Sequence, residues 1–347
     1  MARQSGDHPV KVVNVDCDRT QKEKDSLYAP EKKAVEDLGG ELVLLSAETE
    51  EEIIRDCSGA RIILTEGLFT PITRRVLEAL PDCWAVGRYG IGVDNIDVEA
   101  ATDCGIVVFN VADYCVEEVA DHAAALVLAC ARRVVILDRH VRAGGWDRPP
   151  LEHPLRRIGR LTLGLVGFGN IGRHMVPRLQ GFGMRILATD PYVDPRLAAE
   201  AGVELTSLER VLGESDVVSL HTFLAPGTRH LIGAPELGLM KPSAFLVNTS
   251  RGGVVDEEAL IRALKERRIG GAALDVTEEE PLGADSPLRS LDNVVLTPHQ
   301  GSSSVESGQD LRRGVTEALS NMIQGYLPPF VFNRSVKPKG EFRPRPV

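Results

Sequence analysis

The run Gly167-Phe168-Gly169-Asn170-Ile171-Gly172 constrains this chain more than any other feature. It directly follows the apolar stretch Leu161–Val166 and opens a helical pattern, Ile171–Gln180. Glycines at that spacing, between a strand and a helix, predict a dinucleotide turn. Gly167 permits the tight turn, Gly169 lets backbone approach a pyrophosphate, and Gly172 lets helix and strand pack closely. Asn170 and Ile171 stand at the helix start, where free N–H groups and partial positive charge favour phosphate. The next strand ends at Asp190, 18 residues beyond Gly172. A carboxylate there accepts hydrogen bonds from the adenine ribose and repels a 2′-phosphate. Pro191 and Tyr192 follow, with no arginine for a phosphate partner, so the sequence predicts NAD rather than NADP.

Around this turn the chain alternates apolar runs with amphipathic stretches. Candidate strands before it are Val10–Val15, Glu41–Leu45, Arg61–Leu64, Trp84–Val86 and Ile106–Phe109, with helical patterns at Glu31–Leu38, Glu50–Asp56 and Pro71–Ala79. From the turn onward the candidates are Thr162–Val166, Arg185–Thr189, Val217–Leu220, Ala244–Asn248, Gly271–Leu274 and Val294–Leu296. Such alternation implies α/β architecture with parallel sheets covered on both faces. One long helix is expected from Val116 to Arg142, closed by Gly144-Gly145, and a last helix at Val305–Ile323. That last helix follows completion of the second sheet, so the first domain is expected to be discontinuous. The expected fold is therefore two doubly wound domains: a Rossmann dinucleotide-binding domain, 113–303, inserted into a flavodoxin-like substrate domain, 1–112 and 304–347. The tail from Lys337, with three prolines, reads as a loosely ordered end.

Composition narrows the function classes. At 347 residues the chain is long enough for two domains, and its apolar fraction of 43% is ordinary for a globular protein. A net charge of −10 without a basic stripe argues against nucleic acid as a partner. Ala123–Ala131, the longest charge-free apolar stretch, is far short of the ~20 residues that span a bilayer. The six cysteines contain no C-x-x-C pair and read as reduced cytosolic thiols, and no His/Cys spacing suggests a metal.

Three polar residues stand just beyond strands of the second domain: Arg251 after Phe245–Asn248, Glu280 after Leu274-Asp275, and His299 after Val294–Pro298. Strand ends of an open parallel sheet form its ligand crevice. Reduction of a 2-oxo acid needs such a set: a cation for the carboxylate, an imidazole to give a proton to the carbonyl oxygen, and a carboxylate to orient it.

The segments Asn248–Asp256, Ala273–Val276 with Glu280-Pro281, Thr297-Pro298-His299 and Gly90–Asp97 resemble the D-isomer-specific 2-hydroxyacid dehydrogenases over roughly residues 60 to 325. The pattern Val116–Asp121 is closest to the C-terminal binding protein-like and phosphoglycerate dehydrogenase-like branch. The resemblance implies Arg251 as carboxylate anchor, His299 as acid/base and Glu280 as its partner. It implies cofactor contacts from Thr222, Thr249, Ser250 and Asp275, and substrate contacts from Arg88, Gly90 and Ile91. It further implies a homodimer built largely through the long helix, and a cleft that closes on substrate. After His299 the chain reads Gln300-Gly301-Ser302-Ser303-Ser304, where the corepressor branch has a Trp-Tyr pair, which implies a larger, more polar pocket. Two arginines would suit a dianionic phosphate- or phosphonate-bearing substrate. An NAD-sensing, corepressor-like scaffold is the reading from another class.

Overall fold

In the computed structural model, which describes residues 9–67, 70–149 and 151–344, the chain divides into two compact units. The first comprises Met1–Tyr114 and Val305–Val347, the second Cys115–Ser304.

The first unit holds strands β1 (Lys11–Asn14), β2 (Glu41–Leu44), β3 (Ile62–Thr65), β4 (Ala85–Arg88) and β5 (Val107–Phe109). Its helices are α1 (Gln21–Leu27), α2 (Ala29–Asp37), α3 (Glu50–Asp56), α4 (Arg74–Ala79) and α5 (Val98–Asp103). The strands are parallel in the order β2-β1-β3-β4-β5, the flavodoxin-like arrangement. Side chains alternate across the sheet. Val12, Ile62 and Val107 pack with Val315 and Leu319 of the C-terminal helix, whereas Val13, Ile63 and Val108 pack with Ile53, Val76 and Ala100. Both faces are dry, which is why these strands read as unbroken apolar runs.

The second unit holds β6 (Thr162–Val166), β7 (Arg185–Thr189), β8 (Glu204–Leu205), β9 (Val217–Leu220), β10 (Phe245–Asn248), β11 (Gly271–Leu274) and β12 (Val294–Leu296). Its helices are α6 (Val116–Arg132), α7 (Val134–Arg142), α8 (Asn170–Gln180), α9 (Pro195–Glu200), α10 (Leu208–Glu214), α11 (Ala234–Leu239) and α12 (Glu257–Lys265); α13 (Val305–Ile323) belongs to the first unit. The parallel order β12-β11-β10-β9-β6-β7-β8 puts β6 where the winding reverses, so the turn after β6 lies at the switch point.

Several expectations are corrected. The long helix is two, broken at Arg133, whose φ of 56° is left-handed. There the Arg133 guanidinium stacks on the Phe245 ring at 3.8 Å and Nη1 donates to the Cys130 carbonyl, 2.8 Å away, so a distant aromatic and a freed carbonyl hold the break. Helix α4 begins at Arg74, capped by Thr73, not at Pro71, because Ile72 bridges to Ile96 instead. The tail is pinned as far as it is described: Lys339 N donates to Gly105 O, Leu327 N to Arg343 O, and Phe342 meets the Trp84 ring edge-on. Residues 345–347 lie outside the described residues.

Candidate active site

The glycine turn has the shape a dinucleotide requires. Gly167 has φ 94°, and a Cβ there would lie 2.7 Å from the His221 carbonyl oxygen. One on Gly172 would lie 2.5 Å from the Gly167 carbonyl, whereas Gly169 faces open space. Helix α8 starts at Asn170 with Gly169 as N-cap, so no side chain covers its first N–H groups. Asp190 ties the turn to β7: Oδ2 accepts from Phe168 N at 2.8 Å and Oδ1 from Tyr192 N at 2.9 Å. Across the switch point, the buried hydroxyls of Thr222 and Thr249 have no partner within the protein. Buried hydroxyls left unpaired, with a turn that only glycine can make at positions 167 and 172 and that stays open at Gly169, fit a polar, phosphate-bearing ligand such as NAD.

Beyond β10, an Asx-type turn presents Arg251. Asn248 Oδ1 accepts from Ser250 N and Oγ at 3.0 and 2.8 Å, and Asn248 Nδ2 donates to Arg251 O. Arg251 Nη1 donates to the Ser250 carbonyl, 2.8 Å away. A Cβ on Gly252 would overlap the Thr277 carbonyl, so the Arg251 turn lies against the segment leading to Glu280. Glu280 Oε1 accepts from Thr277 N at 3.2 Å, and Oε2 meets His299 Nδ1 at 2.7 Å. A carboxylate only accepts, so the His299 proton resides on Nδ1 in that bond, and Nε2 is left for chemistry.

Asp275 is bound more tightly than its sequence position suggested. The side chain is 2% exposed. Oδ1 accepts from Thr297 Oγ1 at 2.6 Å and Gln300 N at 2.9 Å, and Oδ2 from Gly301 N at 2.8 Å. Burial pushes its pKa up, but the neighbouring His122 imidazole and the hydrogen bonds from Thr297, Gln300 and Gly301 outweigh it and hold the value at about 2. Asp275 also accepts through its backbone carbonyl from His299 N at 2.8 Å. It therefore fixes the segment on both sides of His299.

In the first unit, Arg88 ends β4 and is 6% exposed. Its Nη1 donates to the carbonyls of Thr65 and Tyr89. Gly90 N donates to Arg88 O, so this N–H is engaged locally, and Ile91 O accepts from Asn110 Nδ2 at 2.6 Å. Asp16 fastens the loop after β3, accepting from Thr65 Oγ1, Glu66 N, Gly67 N and Thr70 Oγ1.

Sequence reasoning missed Asn248, Thr297 and His122. Asn248 was detectable as an Asn closing a strand before a turn. His122 carried no such signal, since a lone histidine on a helix says nothing about what faces it. Among the described residues, no group of three or more His, Cys, Asp or Glu side chains is placed to hold a metal, and no helix is long and apolar enough to cross a membrane.

A parallel sheet with a glycine turn at its switch point defines a dinucleotide-binding protein. Residues 124–301 match the family described as D-isomer specific 2-hydroxyacid dehydrogenase, NAD binding domain. The glyoxylate reductase of Korarchaeum cryptofilum is 46% identical over 289 residues, covering 82% of this chain and 85% of that protein. The D-3-phosphoglycerate dehydrogenase of Methanocaldococcus jannaschii is 40% identical over 310 residues, 89% of this chain and 58% of that protein. Among solved structures, a glyoxylate reductase from Paecilomyes thermophila superposes with a TM-score of 0.83 at 28% identity, over 93% of this chain and 98% of that one. A D-lactate dehydrogenase from Aquifex aeolicus, complexed with NAD and lactic acid, gives 0.80 at 28% identity, over 90% and 96%. The chain belongs to the D-isomer specific 2-hydroxyacid dehydrogenase family and is an NAD-dependent oxidoreductase.

Proposed function

We propose that this protein reduces a small 2-oxo acid of the glyoxylate class to its 2-hydroxy acid. The observation that carries the assignment is the 2.7 Å bond between His299 Nδ1 and Glu280 Oε2, beside the Arg251 turn. When bound, NADH supplies the hydride. Arg251 anchors the substrate carboxylate, and a planar guanidinium suits that geometry. His299, oriented by Glu280, gives the proton on Nε2 to the carbonyl oxygen and takes it back in the reverse direction. Gly167, Gly169, Asn170, Ile171 and Gly172 hold the pyrophosphate, and Asp190 the adenine ribose. Thr222, Thr249 and Ser250 offer hydroxyls toward the nicotinamide half. Asp275 contributes the lone pair that Oδ2 keeps beyond its bond to Gly301.

Arg88, Gly90 and Ile91 are assigned to the substrate. Burial of the Arg88 cation supports a second reading, in which the preferred acid carries an additional phosphate or phosphonate. A homodimer is proposed through α7: none of its residues is buried, and Val134 and Val141 are 55% and 47% exposed. Six cysteines outside any disulfide support work in a reducing, cytoplasmic setting.

The test is NADH oxidation across glyoxylate, hydroxypyruvate, pyruvate, bulkier oxo acids and phosphorylated or phosphonate analogues, with NADPH as control. Turnover on glyoxylate or a close homologue, and a loss of about 100-fold in kcat/KM for Arg251→Ala, is the expected result. A preference for dianions would select the second reading. Silence across the panel with tight NADH binding would overturn both and leave the scaffold.

A further inference from the structure

We infer that His122, on α6, is a positioning residue for His299, acting through Thr297 and Asp275; the inference rests on the acid/base role proposed above for His299. Its Nε2 lies 3.0 Å from Thr297 Oγ1 and 3.4 Å from Asp275 Oδ1, with the side chain 24% exposed. Thr297 has one hydroxyl proton, and the 2.6 Å bond to the Asp275 carboxylate takes it. The Thr297 oxygen can therefore only accept from the imidazole, which fixes the proton on His122 Nε2. A directed chain results, from His122 Nε2–H to Thr297 Oγ1–H to Asp275 Oδ1, each bond polarising the next.

The chain matters because of what it holds. His299 has φ 54°, a left-handed conformation that is strained for a side-chain-bearing residue. Fastenings on both sides keep it there. Thr297 is tied to Asp275 before it, Gln300 N and Gly301 N are tied to the same carboxylate after it, and His299 N donates to the carbonyls of Asp275 and Thr297. Glu280 sets only the imidazole's rotation about Nδ1. The backbone that aims Nε2 is set by the Asp275 brace, to which helix α6 contributes the His122 side chain. With His122 removed, the Thr297 oxygen loses its donor and the Thr297–Asp275 bond loses the polarisation it supplied, so the brace loosens and His299 samples more orientations while the glycine turn and Arg251 stay as they were. The step affected is proton delivery, not binding.

The experiment compares His122→Met, His122→Gln and Thr297→Val with the wild-type enzyme, using glyoxylate or whichever acid of the panel turns over fastest. Gln places an amide donor near the position of Nε2; Met keeps bulk and helix propensity without a donor. The expected result is a fall of about tenfold in kcat for His122→Met and Thr297→Val, with substrate KM and NADH Kd within about twofold of wild type. His122→Gln should recover most of that loss. Unchanged kcat in His122→Met would overturn the inference. So would equal losses in the Met and Gln variants accompanied by a lowered Tm, since that is the pattern of a packing role. His299→Asn separates the two readings. If it retains activity, the acid/base assignment itself fails; if it is inactive while His122→Met is not, only the inference about His122 fails.

Discussion

The half-buried His221 makes acid stability a test of how this fold is held. It follows β9, where a Cβ on Gly167 would run into its carbonyl, and its Nε2 lies 2.9 Å from Ser219 Oγ. Burial alone lowers its pKa from 6.5 to about 4. As pH falls below 6.5 the unfolded chain binds a proton that the folded chain refuses until about pH 4. The stability contributed by the neutral imidazole is thus fully present above pH 6.5 and is lost as pH falls through about 4. At about 1.4 kcal/mol per pH unit, the whole term comes to about 3 kcal/mol, of which about 2 kcal/mol is lost between about pH 7 and about pH 5. Glutamine in its place can still reach Ser219 but does not titrate. We predict that wild type loses about 2 kcal/mol more than His221→Gln over that interval, with all other titrating groups cancelling in the comparison. Urea unfolding at fixed ionic strength, read by hydrogen exchange in β6 and β9 peptides, measures it. Equal losses in the two proteins would refute the argument, because the pH dependence would then arise elsewhere.

Two further substitutions probe the site. Gly252→Ala forces a methyl group into the Thr277 carbonyl, backbone against backbone, so it should destabilise by about 1–3 kcal/mol and lower kcat/KM by displacing Arg251; thermal melts and steady-state kinetics check both. Asp190→Ala removes the acceptor for Phe168 N and the proposed ribose contact, and should weaken NADH binding by about 10- to 100-fold while affecting NADPH less; fluorescence titration with each cofactor reads the ratio.

Much of the fold was legible because its strands are buried on both faces. Thr162–Val166, Arg185–Thr189 and Gly271–Leu274 could be read to the residue, since continuous apolar runs bounded by Gly, Asp or Asn leave little choice of register. Glu204–Leu205 escaped notice because two residues at a sheet edge carry no period. The break at Arg133 was invisible for another reason. Its local sequence is good helix, and the stacking ring on Phe245 lies far along the chain. The pinned tail is a similar case, its partners being Gly105 and Trp84. In the site, Glu280 and His299 were recognisable as polar residues beyond neighbouring strands. The donors around Asp275 were not, because two of them are backbone N–H groups, which every sequence has.

That difference in donors gives the second unit an order of weakening in acid. The Asp275 carboxylate, held at about 2 by its hydrogen bonds, stays charged throughout the range in which His221 begins to protonate, so the brace around His299 keeps its acceptor. The end of β9 has no such reserve: its imidazole is neutral only because it is buried, and it packs under the turn that Gly167 makes possible. Acid is therefore predicted to reach the imidazole under the cofactor turn before it reaches the Asp275 carboxylate. The two halves of the site are stabilised by opposite means, one by a carboxylate held by several donors and the other by exclusion of water from a base, and a falling pH acts first on the second.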